Sequence, residues 1–298
     1  MRVFVTGATG WIGSATVDDL LDAGHEVVGL ARSADSALKL EKKGARILLG
    51  DLDDLDSLRR GASEADAVVH LANKHDWGNP AESDRAERAA VETMLEALVG
   101  TDRPFMVANG LSGLCDGRPV LEADASPAIG PDSDRGGSEN LALDYVGKGV
   151  GSMAIRFAPS VHGAGDWGFV NFLFGAARKQ GVSGYIGDGS TTWSAVHRSD
   201  TARLIRLGIE NAPAGTRLHA TAEEAITTRT IAEAIGKVLG IPVESVPEEN
   251  AAEHFGFVGH FFGLTMTASS ARTREALSWN PTGPTLVEDI ESGAYGTA

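Results

Sequence analysis

The stretch Thr6-Gly7-Ala8-Thr9-Gly10-Trp11-Ile12-Gly13 constrains this chain more than any other. It follows the apolar run Val3-Phe4-Val5, which reads as a strand, and precedes residues 14–23, which read as a helix stopped by Gly24. A glycine turn in this place lets the backbone come close to a pyrophosphate. It also points the open N–H groups and positive dipole end of the helix at the phosphates. The expectation is a dinucleotide site at Gly7, Thr9, Gly10, Trp11, Ile12 and Gly13. The alternative is a glycine-rich turn with no ligand.

Residues 26–30, 45–49, 67–71, 105–108 and 153–157 read as further strands, separated by helical stretches at 38–43, 56–61, 81–99 and 138–146. On the longest helix, Ala86, Ala90, Met94 and Leu98 share a face. This alternation predicts an α/β fold with a doubly wound parallel sheet over residues 1–163. After Gly163 the pattern changes. Helices are expected at 169–179, 200–210 and 228–239, with short strands at 185–186, 218–219 and 243–246. Residues 164–298 are therefore expected to form a smaller mixed α/β lobe that binds substrate.

The chain has 298 residues, enough for one large or two modest domains. No apolar run reaches the ~20 residues of a membrane helix. The net charge of −15 argues against a nucleic-acid partner. The first strand starts at once, so no leader is expected, and Cys115, the sole cysteine, permits no internal disulfide. Both point to the cytoplasm. Nothing beside Cys115 could act as its base. The eight histidines show no ligand spacing, so no metal is expected.

Five landmarks, in order, resemble the extended short-chain dehydrogenase/reductases, the NAD-dependent epimerase/dehydratase superfamily. They are the glycine turn, Gly50-Asp51-Leu52, Val68-Val69-His70-Leu71-Ala72, the segment Arg156 to Gly163, and Gly187-Asp188-Gly189 followed by Val196-His197 and Asp200. The resemblance implies a Rossmann domain, cofactor contacts from Asp51, Leu52, Leu71, Ala72 and Asn73, and a homodimer joined through the helices after strands four and five. One departure stands out. Aligned on the helix before strand six, Arg135 and Glu139 occupy the places of the family's YxxxK pair, so the chain is an atypical member. Tyr145 and Lys148 lie nearby with the wrong spacing.

Candidate roles follow from that alignment. Carbonyl reduction needs a group that polarises the oxygen and a source of a proton. Arg135 can polarise but is a poor acid, and Glu139 could hold the nicotinamide ribose. Four apart on one helix face, the two can touch, either as a site or as an exposed ion pair. Asn109 and Ser112, after strand five, could donate to a substrate oxygen or simply form a turn. His75, His162, Trp167 and Trp193 are candidate substrate contacts. Trp193 stands where nucleotide-sugar members carry an arginine, which implies a neutral, apolar substrate; the alternative is lobe core.

At the end of strand two the chain reads Leu30-Ala31-Arg32-Ser33, with no acid. An acid there would bind the ribose 2′-OH of NAD, whereas Arg32 with Ser33 suits the 2′-phosphate of NADP. The reading is an NADP-dependent oxidoreductase, of carbonyl reductase or alcohol dehydrogenase type, acting on a small, mostly apolar molecule. The alternatives are a non-catalytic NADP-binding sensor and a nucleotide-sugar epimerase or dehydratase.

Overall fold

In the computed structural model, which describes residues 1–74, 76, 78–114 and 117–295, the first half of the chain alternates strand and helix throughout. The order is β1 (Arg2–Thr6), α1 (Trp11–Asp22), β2 (Glu26–Ala31), α2 (Ala34–Lys43), β3 (Arg46–Leu49), α3 (Leu55–Glu64), β4 (Ala67–His70), α4 (Pro80–Glu96), β5 (Pro104–Gly110), α5 (Ser138–Asp144) and β6 (Gly151–Phe157). The second half holds β7 (Ser160–His162), α6 (Phe169–Gln180), β8 (Ser183–Ile186), β9 (Thr192–His197), α7 (Arg198–Asn211), β10 (Arg217–Ala220), β11 (Glu223–Thr227), α8 (Thr228–Leu239) and β12 (Val243–Val246). Four short helices close it: α9 (Ala251–Phe255), α10 (Val258–Phe262), α11 (Ala271–Leu277) and α12 (Leu286–Ser292). No helix is long and apolar enough to cross a membrane among the described residues.

Seven strands form one parallel sheet in the order β10-β6-β5-β4-β1-β2-β3. Parallel strands covered on both faces are apolar throughout. Val3 and Val5 of β1 accordingly pack toward α1, α2 and α7, while Phe4 packs toward α3, α4 and α5; all three are fully buried. Each such side chain is worth roughly 1.5–3 kcal/mol of burial. The strand order reverses between β1 and β4, the crevice where ligands bind in folds of this kind.

The division at 163/164 is not respected by the sheet. β10, expected in the small lobe, pairs with β6, and Leu204, Ile205, Leu218 and Trp279 join the core around β1. The remaining second half builds its own core around Val170, Phe174, Trp193, Ile231 and Phe262. It contains a three-stranded sheet in the order β11-β9-β7 and the pair β12-β8. β7, β9 and β11 were not expected as strands. They are three to six residues long and mix Ser, Thr and His with apolar positions, so no clean alternation marks them.

Candidate active site

The glycine turn lies where β1 and β4 end side by side. The Thr6 hydroxyl accepts the Leu71 and Ala72 N–H groups, each at 3.2 Å, and lies 2.8 Å from His70 Nδ1. Gly7 has φ +65°, and a Cβ there would stand 2.8 Å from the Ala72 nitrogen. A Cβ on Gly13 would stand 2.1 Å from the Gly7 carbonyl oxygen. Neither position has room for a side chain, which explains both residues without appeal to family. Gly10 opens α1 with no side-chain cap and no acid in the first turn, so the leading N–H groups remain for a ligand. Thr9 and Gly10 are exposed, and Trp11 and Ile12 half-buried, as a dinucleotide cradle requires.

At the end of β2, Arg32 is exposed and makes no ion pair or hydrogen bond among the described residues. Ser33 caps α2: its oxygen accepts from Ser36 N–H at 3.2 Å. Asp51 folds its own loop, Oδ1 accepting from the Asp53 and Asp54 N–H groups at 2.9 and 3.1 Å, with Leu52 buried behind it. Asn73, after β4, donates to Glu87 Oε2 at 3.1 Å.

Arg135 and Glu139 do not share a helix face, contrary to expectation. Arg135, Gly136 and Gly137 are all left-handed, with φ of 54°, 59° and 62°, so α5 starts only at Ser138. Arg135 instead donates to Glu87 Oε1 at 2.7 Å. Glu87 is fully buried on α4 and also lies 3.7 Å from His70 Nε2. Burial pulls the His70 pKa below its usual value; Glu87 opposes this and Arg135 adds to it. Arg135 Nε is buried without a partner.

Glu139 serves a different cluster. Oε1 accepts from Arg156 Nη2 at 2.6 Å and Arg217 Nε at 2.9 Å; Oε2 accepts from Arg156 Nε at 3.0 Å and Asn109 Nδ2 at 2.6 Å. Those donors use all four lone-pair sites of a carboxylate, so none is left for a ribose hydroxyl. Burial would raise the Glu139 pKa, but the Arg156 bonds and charge outweigh it and hold it below the usual value. Asn109 is bound on both sides, because its Oδ1 accepts the Gly110 N–H. Ser112 is exposed.

Sequence reasoning missed Glu87 and Arg156. Each carried a readable signal. Glu87 falls on the same helical stripe as Ala90, Val91 and Met94, and Arg156 interrupts the apolar strand Met153-Ala154-Ile155. A charge in such a place must be paired.

The substrate candidates scatter. Trp193 is fully buried, with its indole N–H on the Phe261 carbonyl at 3.2 Å, so it is lobe core and not a pocket wall. His162 is also fully buried, its Nδ1 2.6 Å from Asp289 Oδ2. Trp167 is 61% exposed. His75 lies outside the described residues, as does Cys115.

A parallel sheet of this order, with a glycine cradle at its switch point, defines a dinucleotide-binding protein. The chain belongs to the NAD-dependent epimerase/dehydratase family, within the extended short-chain dehydrogenase/reductases; the family's profile matches residues 3–107. It is 43% identical over 295 residues to the uncharacterized protein C2A9.02 of Schizosaccharomyces pombe, covering 99% of this chain and 100% of that one. A Stigmatella aurantiaca protein, 4-hydroxy-2-methyl-3-oxo-4-farnesyl-3,4-dihydroquinoline-1-oxide ketoreductase, is 28% identical over 86% of this chain and 80% of its own. Among solved structures, the dTDP-glucose 4,6-dehydratase DesIV of Streptomyces venezuelae superposes with a TM-score of 0.78 at 20% identity, over 99% of this chain and 96% of that one. That likeness establishes the fold.

Proposed function

We propose that this protein binds NADPH and reduces a small, mostly apolar carbonyl compound to the alcohol. The observation that carries the cofactor choice is Arg32: exposed, unpaired, and at the end of β2 where an NAD site has an acid. When bound, the cofactor supplies the hydride. Arg135 supplies the polarising charge. Glu87 holds its Nη2, and with the side chain 27% exposed the accessible part of the guanidinium is the donor for a developing alkoxide. An arginine does not give up its proton near neutral pH, so the alcohol proton comes from solvent.

Apolar substrate chemistry is supported by what surrounds the second core. Phe172 and Phe257 are 49% and 45% exposed, next to Phe169 and Phe261, which stack at 4.8 Å above Trp193. With Trp193 sealed beneath them, no cation stands at the place of the family's pyrophosphate-binding arginine. The Stigmatella relative is named for a ketone reduction on a farnesylated quinoline, which is the same class of chemistry.

Two measurements test the proposal. Dissociation constants for NADPH and NADH should favour NADPH, and Arg32→Ala should weaken NADPH selectively. NADPH oxidation should respond to hydrophobic ketones and aldehydes. Equal affinities, or turnover of UDP- or dTDP-sugars alone, would overturn it. The fully committed Glu139 carboxylate favours one second reading, a non-catalytic NADPH sensor. Tight NADPH binding with no turnover of any carbonyl would select that reading.

A further inference from the structure

The start of α7 carries a cation with no ion-pair partner among the described residues. Helices α1 and α7 run side by side in the same direction: Arg198 Cζ lies 4.2 Å from the centre of the Trp11 ring, Arg206 Nε 2.7 Å from Asp19, and Glu210 2.8 Å from His25. Both helices therefore begin at the same end, beside the glycine turn. The end of β7 meets them there, because a Cβ on Gly163 would stand 3.6 Å from both Arg198 Cβ and Trp11 Cζ2.

Arg198 is half-buried at this junction. Its Nε is buried without a hydrogen-bond partner, and it makes no ion pair among the described residues. Asp18 acts on it from a distance only, being committed to Lys43 at 2.6 Å. Burial pulls the guanidinium below its usual pKa, with Asp18 opposing. An unpaired charge out of water is costly unless something compensates it. The indole face compensates in part. An anion at the neighbouring turn would do so fully.

We infer that Arg198, seated over the Trp11 ring, is a second cationic contact for the dinucleotide, at its pyrophosphate, supplied to the Rossmann cradle from α7. The inference rests on the dinucleotide reading of the glycine turn but not on the preference for NADPH. Arg32 and Arg198 then divide the anion. Arg32 reads the 2′-phosphate, which distinguishes the cofactors, and Arg198 reads the diphosphate, which both share.

Calorimetric titration of the purified protein with NADPH, NADH and ADP-ribose tests this. Charge-assisted hydrogen bonds to phosphate predict that Arg198→Ala weakens all three by about the same factor, on the order of tenfold or more. Arg198→Lys should recover part of the loss, since it keeps the charge but not the planar fork. The salt dependence of binding should become shallower in Arg198→Ala. Should the alanine variant fail to fold, Arg198→Gln keeps the length and removes the charge, with the same expectations. Unchanged affinities in the uncharged variant, or a loss confined to NADPH, would overturn the assignment. A wild-type protein with no affinity for either nucleotide would overturn the dinucleotide reading itself.

Discussion

Arg135 Nη2 donates to Glu87 Oε1 at 2.7 Å, across 48 residues of sequence, and this pair replaces the local Arg135–Glu139 contact that helical spacing predicts. The left-handed run at Arg135, Gly136 and Gly137 turns the chain before α5 starts, and the Arg135 N–H bonds Asp84 Oδ1 at 2.8 Å on the same helix as Glu87. Arg135 is thus oriented from α4, not α5.

Arg135→Ala should cost roughly 3–5 kcal/mol of stability, the range for stranding one charge of a buried pair, because it leaves the fully buried Glu87 carboxylate without its cation. Glu87→Ala should cost less, because the Arg135 side chain left behind is 27% exposed and reaches water. Urea unfolding of the two variants checks the order. Glu87→Ala proving the more damaging would contradict it.

Glu139 gives a pH signature. Its folded pKa lies below the ordinary 4.5. Its contribution is therefore complete above about pH 4.5 and is lost as pH falls through the folded value. Glu139→Gln should be destabilised near neutral pH, with Arg156 and Arg217 left short of a counter-charge. The gap to wild type should narrow as pH drops below 4.5. Urea midpoints from pH 7 to 3 measure it, and a gap that stays constant would show that the carboxylate charge is not what holds the cluster.

Trp193→Ala should behave as a core deletion. The indole is fully buried against Phe169 and Phe262, with ring centres at 5.7 and 5.3 Å. Removing it should cost about 3–5 kcal/mol. Dissociation constants for NADPH should change little. A stable variant with altered substrate selectivity would return Trp193 to the pocket wall.

These particulars show where the sequence was legible. The glycine turn was, because strand, turn and helix are adjacent in the chain and Gly7 and Gly13 answer a local steric demand. The alternating elements were, because buried parallel strands are apolar runs. β10 was legible as a strand but not as a member of the large sheet, since its partner β6 lies some sixty residues earlier and only packing joins them. The partners of Arg135 and Glu139 were hidden for the same reason: Glu87 and Arg156 come from other elements. A position within a motif, as at Trp193, says what stands there in relatives but not whether it meets solvent.

The most direct test of the central claim is NADPH oxidation by wild type and Arg135→Ala, assayed on a panel of hydrophobic ketones and aldehydes. The account predicts measurable wild-type turnover and a fall in kcat of about a hundredfold in Arg135→Ala, the scale of losing one oxyanion donor. NADPH affinity should stay within about twofold, because Arg135 is assigned to the substrate oxygen and not to the cofactor. An Arg135→Ala variant as active as wild type would contradict the account.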